Sequence, residues 1–170
     1  MFSPPYPNSF DYTDVYNVEL WMLGYLKSFV SNRVLREATL SSHVQVSRVF
    51  ADHPSGSPIL DDTLGQLKAS QDALWDRHIP DMVGAYFADL ISVISSIGRG
   101  LTDNGSVWLV VGDSRYAGIQ VATADILAEL AAYSGWKIDG YEPFRSMRLS
   151  PQQGGRPELA ESLVKLRMQD

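Results

Sequence analysis

Cysteine is absent from all 170 residues, which excludes disulfides and thiolate metal sites. Histidine is scarce: His43, His53 and His78 are the whole supply, and none is spaced from carboxylates as a metal centre requires. No metal is therefore expected. No apolar run approaches the roughly 18–20 residues of a membrane span, and the first residues lack a basic stretch followed by an apolar one. No membrane partner is expected, and a cytoplasmic location is the default. No Gly-x-Gly-x-x-Gly occurs, and Gly154-Gly155 fall between two expected strands and not before a helix, so no phosphate-cradling loop is expected. Positive charge is also short. The formal net charge is −6, which argues mildly against a nucleic-acid binder, because phosphate contacts need Lys and Arg.

That shortage has one local exception. From Gly24 to Arg48 the charged residues are Lys27, Arg33, Arg36 and Arg48 against Glu37 alone, a net of +3. The length suits one domain over residues 1–170 with a sizeable core, and no internal repeat or domain boundary is visible.

The most distinctive stretch is the first: Phe2-Ser3-Pro4-Pro5-Tyr6-Pro7-Asn8-Ser9-Phe10-Asp11-Tyr12. Adjacent prolines fix two φ angles, remove two backbone donors and push the preceding residues toward extended geometry. Their carbonyls stay free to accept hydrogen bonds. With a serine oxygen before them and an aromatic ring after, they form a rigid, acceptor-rich edge with a flat stacking face. Such an edge suits the amino group of a planar base. The alternative is a frayed terminus, but the aromatics and Asp11 that follow, with an apolar helix soon after, favour a site.

Thr13 or Asp14 is expected to cap a helix whose apolar residues, from Val15 to Phe29, cover most of its circumference, so burial is expected. Glu19 on it reads as a solvated or Arg-paired carboxylate. Residues 31–60 are irregular, with another helical turn or two over Arg33–Leu40, a short helix capped near Ser41-Ser42-His43-Val44 and a loop over Asp52–Pro58. Asp61-Asp62 should cap a polar helix through Leu64, Leu67 and Leu74, followed by a long helix from about Pro80 to Leu101. Ser106–Val111 reads as a central parallel strand covered on both faces, with Gly112-Asp113-Ser114 at its carboxyl end, where open α/β sheets place ligands. A helix over Thr123–Ser134 ends on Gly135. Trp136–Leu149 and Glu161–Met168 read as strands around a Pro/Gly turn over Ser150–Pro157, and two strands joined without a helix imply an antiparallel hairpin. Ser114 invites a hydrolase reading, but a nucleophilic serine needs a histidine base and the carboxy-terminal part has none.

Taken together, these residues resemble a known family. Ser3-Pro4-Pro5-Tyr6 is similar to the catalytic motif of the S-adenosylmethionine-dependent DNA amino-methyltransferases, in the Ser form of the N4-cytosine enzymes. Pro7-Asn8-x-x-Asp11-Tyr12-x-x-x-Tyr16-x-x-Glu19-Leu20 and Leu40-x-Ser42-His43-Val44 resemble one subgroup of the bacterial site-specific enzymes. So do the strand Val107–Ser114, the helix ending at Gly135-Trp136 and the closing Glu161-Ser162-Leu163-Val164-x-Leu166.

The resemblance implies an α/β fold: a partial Rossmann-like methyltransferase sheet with flanking helices and a terminal antiparallel hairpin. It implies methyl transfer to the exocyclic amine of a flipped base in double-stranded DNA, cytosine N4 ahead of adenine N6, with S-adenosyl-L-methionine as cofactor and a restriction-modification setting. Ser3, Pro4, Pro5 and Tyr6 would be catalytic, the Ser3 oxygen and Pro4 carbonyl holding the amine while Tyr6 stacks on the base. Asn8, Asp11 and Tyr12 would line the same pocket. Arg33, Arg36 and Arg48 would meet DNA phosphates from a recognition insertion over 31–60. The family's Asp-Pro-Phe-x-Gly-x-Gly cofactor loop has no counterpart here, so the chain looks like a carboxy-terminal half with a separate cofactor-binding half as partner. The rival reading is a non-catalytic remnant that binds DNA or protein.

Overall fold

The strongest helical periodicity builds the centre of the molecule. In this computed structural model, which describes residues 1–147 and 159–169, Ile79–Gly98 forms one helix. Its stripe of Ile79, Met82, Val83, Tyr86, Phe87, Leu90 and Ile94 is fully buried, and each large side chain removed from water contributes about 1.5–3 kcal/mol. Pro80 sits in its first turn, where a missing N–H leaves no intrahelical bond unmade. In chain order the helices are α1 (Tyr12–Val15), α2 (Asn17–Met22), α3 (Phe29–Glu37), α4 (Pro58–Ala69), α5 (Ile79–Gly98) and α6 (Thr123–Tyr133), with a 3₁₀ turn at Gln71–Ala73. The strands are β1 (Val107–Gly112), β2 (Ser114–Tyr116), β3 (Ile119–Val121), β4 (Trp136–Met147) and β5 (Leu159–Met168). The length and mean hydropathy of α5 would let it cross a membrane, but half of its most apolar window is packed inside the fold, as in a core helix.

The α/β class expected from the sequence is what the chain adopts. α6 lies against β1, β4 and β5, while α4 and α5 pack against α6. The sheet order is β1-β5-β4 with both pairs antiparallel, so β4 and β5 pair as the terminal hairpin was expected to. The expected Pro/Gly turn over 150–157 lies outside the described residues. β1 is not the central parallel strand read from its apolar run. Its partner β5 is antiparallel, and among the described residues only a single bridge, Phe2 to Leu109, is parallel. The run is not covered equally on both faces either. Val107, Leu109 and Val111 are buried, whereas Trp108 is half-buried under the Lys165 ammonium, 5.0 Å from the ring centre.

Three further expectations are corrected. α1 is capped by Asp11, whose carboxylate accepts from the Thr13 and Asp14 amides, in place of Thr13 or Asp14. Helicity then breaks at Tyr16 and stops at Leu23 before Gly24, whose φ is +77°. None of the residues of α1, α2 or α3 is buried, and between Val15 and Phe29 Leu26 alone is, so most of the expected burial of this segment does not occur. An apolar circumference states a demand for partners, and here the rings meet little more than one another, as Trp21 does Phe29 with ring centres 6.0 Å apart. Second, α4 starts at Ser57-Pro58, ahead of Asp61-Asp62: the Ser57 hydroxyl accepts from the Leu60 amide at 3.1 Å, and Leu74 falls outside the helix. Third, Ser41–Val44 forms no helix. Its backbone binds other segments, Ser42 O accepting from Ser9 N and Ser41 N donating to Asp89, each at 2.9 Å.

The β2–β3 hairpin was not anticipated. Its two turn residues, Ala117 and Gly118, both have positive φ, 48° and 84°, as a two-residue turn matching the strand twist requires.

Candidate active site

The backbone of Phe2 is where the site begins. Its N–H donates to Trp108 O and its carbonyl accepts from Val110 N, both at 3.0 Å. This short parallel pairing extends the sheet past β1 and delivers Ser3 toward the strand's carboxyl end. There the Ser3 hydroxyl donates to Val110 O at 3.2 Å. Pro4 is buried and Pro5 half-buried. Among the described residues no hydrogen bond is made to either proline's carbonyl, so both keep their acceptor capacity.

Tyr6 spans the gap to the last strand, its hydroxyl donating to Glu161 Oε1. Burial first, and this carboxylate second, push the Tyr6 phenol up to about 12, while the Ser3 hydroxyl acts weakly the other way. Behind it, Tyr86 is fully buried with an unpartnered hydroxyl, and burial raises its phenol further still. The next residue is pinned as well, since Tyr116 donates to Pro7 O at 2.8 Å. Beyond the two backbone bonds of Phe2, the segment's path is therefore set by three long-range side-chain bonds, to Val110, Tyr116 and Glu161.

The turn that follows is built from side chains. Asn8 Oδ1 accepts from Phe10 N at 3.2 Å, and Ser9 takes the left-handed conformation at φ 59°. Asp11, at 5% exposure, has no free carboxylate. It accepts from Thr13 N at 2.9 Å and from Arg36 Nε at 2.9 Å, with His43 Nε2 3.8 Å away. Burial alone would raise its carboxyl, but the Thr13 and Arg36 hydrogen bonds outweigh that and hold it below the usual carboxylate range. Tyr12 is half-exposed and rests edge-on against Phe10, with ring centres 4.9 Å apart.

The three arginines do not form one open surface. Arg36 is committed to Asp11. Arg48 donates to Thr39 O at 2.8 Å and Arg36 O at 3.0 Å. Arg33 is exposed and held by Glu37 one turn on, at 2.7 Å. Beside them a cleft of about 830 Å³ opens between α5 and the 37–51 segment, lined by Glu37, Thr39, Ser41, Arg48, Asp89 and Ser92 among others. Ser3 to Tyr6 do not line it.

At the end of β1, Asp113 faces α6. Its carboxylate accepts from Thr123 N at 2.9 Å and Gln120 Nε2 at 2.8 Å, and burial raises its pKa above the ordinary value. Ser114 is buried with no hydrogen-bond partner, and no histidine stands near it to make it a nucleophile. Among the described residues no three His, Asp or Glu side chains converge as metal ligands would. The residues that sequence reasoning missed are Glu161, Tyr86 and Tyr116. Glu161 stood in the closing segment as an acid at the start of a strand, a signal with no stated role.

Fold and site together define a class: an α/β domain with a proline-stiffened acceptor edge beside the carboxyl end of a sheet strand. Comparison with known proteins adds a particular likeness. Over 147 residues the chain is 29% identical to the Type II methyltransferase M.AvaI of Nostoc sp. (strain PCC 7120 / SAG 25.82 / UTEX 2576). The same identity holds for the protein of that name from Anabaena variabilis. The likeness covers 81% of this chain but 30% of the relatives' length. No protein-family model matches, and no solved structure does.

Proposed function

We propose that the chain carries the target-base half of a bacterial site-specific DNA methyltransferase, acting in the cytoplasm on an exocyclic amine, cytosine N4 ahead of adenine N6. The observation that carries this reading is the Phe2 bridge. It seats Ser3 at the end of β1, with Pro4 next in the chain and its carbonyl without a hydrogen-bond partner among the described residues. The lone pair of an exocyclic amine is delocalised into the base and nucleophilically weak. Hydrogen bonds from its two N–H groups to Ser3 and Pro4 favour a more pyramidal nitrogen whose lone pair is available for methylation, with no covalent enzyme intermediate. Tyr6 stacks on the flipped base, and Asn8 and Tyr12 border it. Asp11 acts one step back, fixing the turn through Arg36.

S-adenosylmethionine would supply the methyl group, but the described residues do not fit its nucleoside. Asp113, the acid at the end of β1, is turned into α6, and Thr123 N and Gln120 occupy its carboxylate. Holding the cofactor therefore falls to a complementary half, in the same polypeptide or another. On the DNA side, Arg33 and Lys27 are the exposed cations of the 31–60 region and its approach, while Arg36 and Arg48 hold that region in shape.

The test is transfer of labelled methyl from S-adenosylmethionine to duplex DNA, by the chain alone and mixed with a cofactor-binding half. Ser3→Ala combined with Tyr6→Ala is expected to abolish transfer, and full activity in that variant would remove the assignment. The missing nucleoside cradle also favours a second reading, a binding module without catalysis. Calorimetric titration separates the two: no cofactor binding by chain or mixture, with DNA binding intact, selects the module.

A further inference from the structure

Glu161 has no part in the chemistry described so far, yet it makes the longest-range side-chain contact of the site. It lies on β5 opposite Gly112, so it has no cross-strand side chain to bind on β1. One carboxylate oxygen accepts the Tyr6 proton, and the other is 3.8 Å from Arg145 Nη1, which is largely exposed. The Ser3 hydroxyl likewise sends its one proton inward, to Val110 O. Both hydroxyls of the motif are thus spent as donors on the protein. What remains to the two hydroxyl oxygens and the Pro4 carbonyl is acceptor capacity only.

We propose that Glu161 is a positioning and specificity residue of the acceptor edge: by accepting the Tyr6 hydrogen bond it keeps that edge free of hydroxyl donors. The inference rests on the reading of the site as one for an amino base. A phenol with no internal acceptor would turn its O–H toward Ser3 Oγ and occupy a lone pair that the amine needs. It would also offer a donor to a base bearing a carbonyl at the same position. With the donor withdrawn, an amino group finds two acceptors, whereas a keto oxygen finds acceptors against acceptors and leaves them unpaired. Cytosine and adenine carry the amine at that edge, while thymine and guanine carry the carbonyl.

The experiment uses the full chain, with its complementary half where transfer requires one, and the variants Glu161→Leu, which removes the acceptor at similar volume, Tyr6→Phe and their double. Transfer is measured on an amino-base duplex, together with duplex affinity. Glu161→Leu is expected to lower kcat about tenfold, equivalent to about 1.4 kcal/mol of transition-state stabilisation, with duplex affinity unchanged. The double variant, in which no phenolic donor remains, is expected to transfer faster than Glu161→Leu alone. A merely structural role for Glu161 would make the double slower. Tyrosine ¹³Cζ resonances, assigned with Tyr6→Phe, give a readout independent of activity. At about pH 10.5, near the ordinary tyrosine pKa, the ionised fraction of Tyr6 should rise several-fold in Glu161→Leu. An unchanged fraction, or a double variant no faster than the single, overturns the proposal. Absence of transfer in the unsubstituted protein overturns the methyltransferase reading, while the resonances still decide whether Glu161 holds Tyr6.

Discussion

Asp11 shows how one buried acid is kept ionised and what that demands of its neighbours. Its carboxylate holds Arg36, caps α1 and faces His43, whose ring is 2% exposed with Nδ1 unpartnered. Burial lowers the His43 pKa, Arg48 and Arg36 lower it further, and Asp11 only partly opposes them. Both groups therefore bind protons less readily folded than unfolded, so acid favours unfolding. The His43 contribution is complete above the ordinary histidine value and is lost as pH falls through and below it. The Asp11 contribution is lost below the ordinary carboxylate range. Urea unfolding is expected to show stability declining from pH 7 to pH 5, with a shallower decline in His43→Gln. An equal slope in that variant would assign the acid sensitivity elsewhere. At this scale the sequence was informative about the unpartnered carbonyls of Pro4 and Pro5, because what proline removes and leaves is local. It was silent about Glu161 and about the occupation of Asp11, Arg36 and Arg48, because a charge seen in sequence carries no record of the partner that claims it.

Elements divide by whether their apolar faces found one another. α5 and the segment from α1 to α3 are comparably rich in large apolar residues, but Leu90 is fully buried while Val18 and Phe29 are 67% and 86% exposed. Leu90→Ala is expected to cost about 2–5 kcal/mol, whereas Val18→Ala should stay within about 0.5 kcal/mol. Midpoints of chemical denaturation compare the two directly, and a large loss at Val18 would mean that α2 is packed. The periodicities of α5 and α6 and the apolar run of β1 were readable because they report a face. The partner of that face was not. A strand buried by apolar residues reads the same in parallel or antiparallel company. The β2–β3 hairpin escaped because its strands are three residues each and Ala117-Gly118 lacks the Asn or Asp that marks such turns most strongly.

For the molecule as a whole, stability and site are drawn from different contacts. The core joins α4, α5, α6 and the sheet, while the acceptor edge is tied down by a few hydrogen bonds at the sheet's margin. Opening that margin need not disturb the core, so amides at the Phe2 bridge should exchange with solvent well before those in the middle of α5. Hydrogen-exchange mass spectrometry checks this, and equal protection would mean that the two open as one unit. The three bonds that seat the edge span 107, 109 and 155 positions of sequence. During synthesis Ser3 to Tyr6 leave the ribosome well before β1, and Glu161 follows only when β5 is made. The edge waits through 155 positions of translation for its anchor. Loops this long close slowly and late, so a nascent chain acquires its helical core before the Ser3 to Tyr6 edge is seated, and arrest of translation before β5 leaves that edge without its anchor.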